Sequence, residues 1–173
     1  METKRMDDDV VGLDDDGAAD VIRVECGKGN PKSFTVERRF LSISKMIATA
    51  LEQDPSTKIV PCTSVDPDVF EQIVPYLEHH KGSPGQIIPY PAKSEKMKEN
   101  CSDPWDADYV DKLWEDRDRL YKVMMAANYL DIRCLLHLCA CKVGTSIKGA
   151  SYDKIKDILL PGRKWLVKKV IIE

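Results

Sequence analysis

The sequence predicts an α+β fold in which a small three-stranded sheet packs against several helices. Residues 21–25 and 34–37 alternate apolar and polar side chains at the period of a strand, and a turn-rich segment separates them. A third short segment, around Ile59 and Val60, is β-branched and ends at Pro61, which restricts it to a sheet edge. Farther along the chain, apolar residues recur every three or four positions, as they do on the buried face of a helix.

Capping residues and prolines predict where the helices begin and end. Either Ser42 or Ser44 could cap the first helix, because a serine oxygen accepts a hydrogen bond from the free N–H groups of the first turn. Asp66 followed by Pro67 is a typical start for the second helix. Pro75 stands inside that helix, where it lacks an N–H and clashes with the preceding turn. The sequence therefore predicts a kink or an early end there.

Residues 124–149 are the centre of the predicted helical part, because two apolar helix faces meet there at a short corner. Asp131 is expected to be the N-cap of a helix that starts at Ile132, and a further short helix is expected over residues 151–160. The polar residues of the corner remain near its outside. The apolar stripe of the helix after the corner comprises Ile132, Leu135, Leu136, Cys139, Val143 and Ile147.

One domain with tails is expected for a chain of 173 residues with 43% apolar content, which can form one modest core. Residues 1–19 contain two aspartate triplets and few apolar residues, so this acidic tail is predicted to be disordered. The domain proper is assigned to residues 20–130, with a mobile insertion at residues 81–103 that lacks periodicity. Residues 131–160 form C-terminal helices, and residues 161–173 form a tail of basic and apolar residues.

The charge balance argues against nucleic acid and membranes as partners. The chain has 26 basic and 29 acidic residues and a formal net charge of −3, whereas a general nucleic-acid or anionic-membrane surface needs an excess of positive charge. The sequence begins with no secretion signal and has no apolar run long enough to cross a bilayer. We therefore expect an intracellular protein whose partners are proteins.

The six cysteines are interpreted as free thiols rather than as disulfides or metal ligands. Cys134, His137 and Cys141 could share a helix face, but structural zinc sites usually take ligand pairs from turns, so we expect no metal site. The three histidines lack a recognisable catalytic context, and no glycine-rich phosphate loop follows a strand. We therefore expect neither a catalytic residue nor a cofactor.

Three short motifs connect the chain to a known family. They are AANYLDI at residues 126–132, IKG at residues 147–149 and HHKG at residues 79–82. In their chain order, HHKG, then AANYLDI, then IKG, and with the predicted strands and helices around them, they resemble the S-phase kinase-associated protein 1 family over residues 21–159. The resemblance implies a BTB/POZ fold for residues 20–130 and C-terminal dimerisation and F-box-binding helices for residues 131–160.

The resemblance also implies two sets of binding residues. Asn128 and Tyr129 match the corner that faces a cullin in the family. The helix that faces an F-box is matched by Leu136, Ala140, Val143, Ile147 and Lys148. The resemblance ends near residue 160, because family members usually continue through two further helices that enclose the F-box, whereas residues 163–173 are a divergent run of basic and apolar residues.

The function implied by the resemblance is that of a noncatalytic adaptor in a cullin-RING E3 ubiquitin ligase. Such an adaptor bridges a cullin scaffold to F-box substrate receptors in the cytoplasm and nucleus, and we expect at most a weak homodimer. Two alternatives remain open from the sequence. One is an elongin C-like adaptor that binds BC-box receptors, and the other is a BTB domain that self-associates.

Overall fold

The computed structural model describes residues 20–89 and 91–160. The acidic tail and the residues 161–173 that were assigned to a divergent tail lie outside this range. The described strands are β1 Val21–Cys26, β2 Lys32–Glu37 and β3 Ile59–Cys62. The helices are α1 Lys45–Gln53, α2 Pro67–His80, α3 Met97–Asn100, α4 Pro104–Trp114, α5 Arg117–Tyr129, α6 Arg133–Ile147 and α7 Tyr152–Leu159.

The three strands form one sheet with the order β2-β1-β3. Strand β1 pairs antiparallel with β2, with Ile22 opposite Val36, and parallel with β3, with Val24 opposite Val60. These four side chains are buried, so one face of the sheet supplies the core while the alternate residues point away from it. The predicted α+β architecture with a three-stranded sheet is confirmed.

Helix α2 is continuous from Pro67 to His80, although Pro75 stands in its interior. The predicted early end is therefore wrong. Pro75 lies on the exposed face of the helix, while Ile73, Tyr76 and Leu77 on either side of it are almost fully buried. Burying three large side chains is worth about 1.5–3 kcal/mol each, which exceeds the roughly 3 kcal/mol that a proline costs inside a helix.

The insertion at residues 81–103 contains ordered structure, which its irregular sequence did not predict. Ile88 and Met97 are buried, and α3 forms one helical turn. The Asn100 side chain accepts from the backbone N–H groups of Lys93 and Ser94 at 2.8 and 3.2 Å, and it donates to two backbone carbonyls of the same segment. A segment whose sequence lacks periodicity thus contains one turn of helix, and its predicted mobility stays a prediction.

The helices α4 to α7 pack against each other and against α2. Val110, Leu120, Val123 and Leu135 are fully buried where α4, α5 and α6 meet. Helix α7 is joined to α5 because the Tyr121 hydroxyl donates to the carbonyl of Ile158 at 2.7 Å. A bilayer-crossing helix would have to be longer and more apolar than any that the structure describes in residues 20–160.

Candidate protein-interaction surfaces

The corner between α5 and α6 is closed by backbone hydrogen bonds. The N–H of Ile132 donates to the carbonyl of Ala127 at 2.8 Å, and the N–H of Asp131 donates to the carbonyl of Asn128 at 3.2 Å. This is the Schellman pattern at a helix C-terminus, in which the residue after the cap is left-handed. Asp131 is that residue, with φ of 51°.

The prediction that Asp131 caps α6 is therefore wrong. Asp131 belongs to the end of α5, and α6 begins one residue later than predicted, at Arg133. Aspartate tolerates the left-handed conformation better than most side chains, so the same residue type suits both positions. Its carboxylate accepts from Nε of Arg133 at 3.2 Å instead of from a backbone N–H.

Helix α1 holds the corner in place. The Ser44 hydroxyl is fully buried, donates to the carbonyl of Leu130 at 2.6 Å and accepts from the N–H of Ile47 at 3.2 Å. The N–H groups of Lys45 and Met46 lie 3.4 Å from the carbonyls of Asp131 and Leu130. The first turn of one helix thus satisfies the last carbonyls of another, which fixes the corner.

Asn128 and Tyr129 project from this fixed corner into solvent. Tyr129 is 43% exposed, while Ala127 and Leu130 on either side of the pair are buried. The predicted corner, with its two outward polar residues, is confirmed as geometry. Its assignment to a cullin stays a prediction.

An apolar hollow adjoins Tyr129, and it was not predicted from the sequence. It has a volume of about 420 Å³ and lies between α5 and the start of α2, with Val69, Met125 and Ala126 in its lining. Met125 is 66% exposed. A methionine four residues before Tyr129 shares its helix face, and this spacing was the signal that could have revealed the hollow.

The apolar stripe of α6 divides into a buried half and a half-exposed half. Ile132, Leu135 and Cys139 are fully buried, and Leu138, which the predicted stripe omitted, is buried with them. The five predicted receptor-binding residues lie on the other half: Leu136, Val143 and Ile147 are half-buried, whereas Ala140 and Lys148 are exposed.

The structure does not gather all five of these residues into one site. Ala140, Ile147 and Lys148 line a groove of about 570 Å³ whose opposite wall is formed by Ile88, Pro89, Pro91 and Ala92 of the insertion. Leu136 and Val143 pack instead against the core. The second wall could not be inferred from the sequence, because it lies some forty positions before α6 in a segment without periodicity.

Helix α7 adds a second exposed apolar face. Tyr152 is 74% exposed and Leu159 is 46% exposed, and a spacing of seven places both on one side of the helix. On its other side Arg117 Nη1 lies 2.6 Å from Asp157 Oδ2, and Ile158 is buried. The helix is therefore anchored with an apolar face open to solvent.

The HHKG motif joins the end of α2 to the start of α4. His79 Nε2 lies 2.7 Å from Asp103 Oδ2, and His80 Nε2 lies 2.9 Å from Asp106 Oδ1. The ring of His79 stacks on Trp105 with centroids 4.0 Å apart and planes 5° apart. Trp105 thus anchors the end of the insertion, and these contacts give the two histidines a structural role.

Burial raises the pKa of all six cysteine thiols, which disfavours the reactive thiolate. Burial raises the pKa of Cys26 and Cys139 to about 12 and that of Cys62 to about 11, so the nucleophilic thiolate is scarce at neutral pH. The pKa of Cys101 is raised to about 11, first by burial and then by Asp106. Among the described residues, histidines, cysteines and carboxylates form no cluster of three or more that could hold a metal ion.

Comparisons with known proteins agree with this geometry. Residues 30–82 match the family model described as Skp1 family, tetramerisation domain. An S-phase kinase-associated protein 1 homolog from Tetrahymena thermophila is 31% identical over 121 residues, which cover 70% of this chain and 71% of the relative.

Relatives in fungi and plants are similarly close. The E3 ubiquitin ligase complex SCF subunit sconC of Arthroderma benhamiae is 32% identical over 123 residues, or 70% of this chain and 73% of the relative. SKP1-like protein 13 of Arabidopsis thaliana is 31% identical over 128 residues, or 74% and 77% of the two chains. With these identities over more than two thirds of each relative, and with a matching fold, the chain belongs to the S-phase kinase-associated protein 1 family.

Proposed function

We propose that this chain is a noncatalytic adaptor of a cullin-RING E3 ubiquitin ligase, which joins a cullin to an F-box substrate receptor for ubiquitin-dependent degradation. The relatives named as SCF subunits of an E3 ubiquitin ligase complex support this assignment. The observation that carries it is the rigid corner, which exposes Asn128 and Tyr129 beside an apolar hollow. The adaptor is proposed to act in the cytoplasm and nucleus.

The corner has the physical character of a binding hot spot. Tyrosine offers a large amphipathic surface with few rotatable bonds, and such residues are enriched among the side chains that dominate binding energy. The backbone beneath Tyr129 is tied to α1, so little conformational freedom remains to be lost when a partner binds. We assign the cullin contact to Asn128 and Tyr129, with Met125 as an additional apolar contact.

The receptor face has the character of a helix-binding surface. Helix α6 exposes Ala140 and leaves Ile147 half-buried, and a partner helix could lay its apolar side along such a stripe. We assign receptor binding to Leu136, Ala140, Val143, Ile147 and Lys148. Leu136 and Val143 contribute less exposed area than the other three, because both pack against the core.

Titration calorimetry with a cullin tests the corner. The double variant Asn128→Ala/Tyr129→Ala is expected to weaken cullin binding at least about thirtyfold, because truncating a hot-spot tyrosine costs about 2 kcal/mol or more. Tyr152→Ala, which truncates the exposed tyrosine of α7, is the matched control and should bind as the unaltered chain does. Unchanged cullin affinity in the double variant, with normal circular dichroism, would sink the assignment.

Binding of an F-box segment tests the receptor face. Ala140→Arg places a long charged side chain on an exposed position, so the fold should persist while binding weakens at least about tenfold. Thr49→Arg, an equivalent change on an exposed position of α1, is the control. If the chain binds a BC-box helix and ignores every F-box segment, the elongin C-like alternative replaces this proposal.

A further inference from the structure

The groove beside α6 is open and largely apolar. Ala140, Gly144 and Ile147 form one wall, and Ile88 and Pro91 belong to the other. A Cβ atom built on Gly144 would meet no atom within 4 Å, so the space above this turn of the helix is unfilled. The unfilled space of about 570 Å³ and its apolar lining suit the apolar side of a partner helix.

A second cavity, which we call the basic cavity, continues from this groove at the C-terminal end of α6. It has a volume of about 410 Å³, shares Thr145 and Lys148 with the groove and reaches Lys154 in the first turn of α7. Lys148 and Lys154 are exposed, and neither has an ion-pair partner among the described residues. A partner seated in the groove therefore meets two uncompensated positive charges beside it.

The other charges that line the basic cavity do not cancel these two. Arg117 is already paired, because its Nη1 lies 2.6 Å from Asp157 Oδ2, and Glu95 is the acidic residue of the described lining. The chain as a whole has a net charge of −3. At physiological salt, however, exposed charges act over only about 8 Å, so the local excess of positive charge decides which partner fits here.

Covering the basic cavity is favourable only for a partner that supplies negative charge. A partner that lies over Lys148 and Lys154 removes water from both ammonium groups, and this loss of hydration must be compensated. A carboxylate compensates it with a charge-assisted hydrogen bond, whereas an amide does so less well and a basic side chain adds repulsion. The cavity therefore discriminates against neutral and basic partners as well as favouring acidic ones.

The groove and the basic cavity follow one another along α6. From Ala140 to Lys148 the helix advances about 12 Å, at a rise of 1.5 Å per residue, which is about two turns. A partner helix that lies alongside α6 thus presents about two turns of apolar residues to the groove before its next residues reach the basic cavity.

We propose that the receptor face selects helical segments in which about two turns of apolar residues are followed, at one end, by carboxylates. Lys148 and Lys154 are the residues that make this selection. The proposal rests on the proposed function, because it concerns which receptor segments the adaptor accepts. It extends the receptor face to α7, whose Lys154 is not among the five residues predicted for that face.

Titration calorimetry with matched forms of one F-box segment tests the selection. Two glutamates are placed at one end of its apolar stretch and then at the other, because a helix can lie along α6 in either direction. Two glutamines at the same positions give the neutral control. One of the glutamate forms should bind at least about tenfold more tightly than its glutamine control. This preference should shrink at 1 M salt, where the Debye length is about 3 Å.

A charge reversal on α7 identifies the basic cavity as the source of the preference. The N–H of Lys154 donates to the Ser151 hydroxyl at 3.4 Å, and a glutamate three residues after a serine cap completes a capping box, so Lys154→Glu should keep α7 folded. The variant should lose the preference for glutamate. It should instead bind a form of the segment with two lysines at least about tenfold more tightly than the unaltered chain does.

Lys28→Glu is the matched control for overall charge. Lys28 is exposed in the turn between β1 and β2, so this variant changes the net charge equally and should keep the preference for glutamate. If Lys28→Glu abolishes the preference as fully as Lys154→Glu does, total charge is its source and the proposal is overturned.

Failure of the selection and failure of the proposed function give different results. Equal affinity of the unaltered chain for the glutamate and glutamine forms overturns the selection and leaves receptor binding in place. If the unaltered chain binds none of the forms, the receptor face itself fails, and the selection fails with it.

Discussion

Single side chains fix the surfaces on which the account depends. Ser44 serves as the cap of α1 and as a hydrogen-bond donor to Leu130 at the corner, so one buried hydroxyl links two helices through residues that are 86 positions apart. His79 does the same between α2 and α4 through Asp103 and Trp105. Each such hydrogen bond contributes about 1 kcal/mol to the stability of the fold. Each also holds the neighbouring surface residues in position.

Asp103 gives the second contact a defined pH dependence. Its pKa lies below the usual value, first because His79 donates to the carboxylate and then because the N–H of Trp105 does. A lowered pKa means that the contribution to the free energy of unfolding is present above the ordinary pKa of about 3.9 and is lost as the pH falls through the lowered value. Asp103→Asn should therefore destabilise the chain at pH 6, and this difference should shrink below about pH 4.

Urea unfolding of the two proteins from pH 6 to pH 3 measures this difference. Glu78→Gln removes one charge from an exposed position beside the same histidine and serves as the control. A destabilisation by Asp103→Asn that stays constant across the whole range would show that the carboxylate contact is not its source.

At the scale of elements, tertiary packing overrides local preference in α2. The helix passes through Pro75 because the residues around the proline are buried, and the proline itself faces solvent. The missing N–H leaves one carbonyl of the preceding turn without its helical partner, so the helix persists at a cost.

Replacing this proline should raise the stability. Pro75→Ala restores a backbone hydrogen bond, and alanine is favoured over proline inside a helix by up to about 3 kcal/mol. The variant's unfolded chain is more flexible, which lowers the free energy of unfolding by about 0.4–1 kcal/mol. We expect a net gain of about 1–2 kcal/mol in the free energy of unfolding, measured by urea denaturation. Glu78→Ala, at another exposed position of the same helix, is the control. A loss of stability in Pro75→Ala would mean that the proline relieves strain instead of causing it.

Local signals predicted most elements, and the failures have specific causes. The hairpin of β1 and β2 was predictable because alternation with a period of two is local. The role of Asp131 was not, because an aspartate between two helices suits both the end of the first and the cap of the second, and only its left-handed backbone conformation assigns it to the first. The burial of Met97 involves a distant partner, because the Thr145 hydroxyl lies 3.9 Å from its sulfur.

For the whole molecule, the two proposed interfaces lie toward opposite ends of one helix. The corner with Asn128 and Tyr129 precedes α6, whereas the groove extends to Lys148 at its far end, about 22 Å away by the rise of 1.5 Å per residue. The AANYLDI motif predicted the corner directly. The groove could not be predicted from the sequence, because one of its walls comes from the insertion.

The central claim is that one chain holds a cullin and a receptor at the same time on these separate surfaces. Titration of a cullin into the chain already saturated with an F-box segment tests it most directly, with mass determination of the product by light scattering. We predict a complex of one copy of each component, with cullin affinity within about twofold of that for the chain alone, because interactions this far apart are usually additive. Displacement of the F-box segment by the cullin, or cullin binding that persists in Asn128→Ala/Tyr129→Ala, would contradict the account.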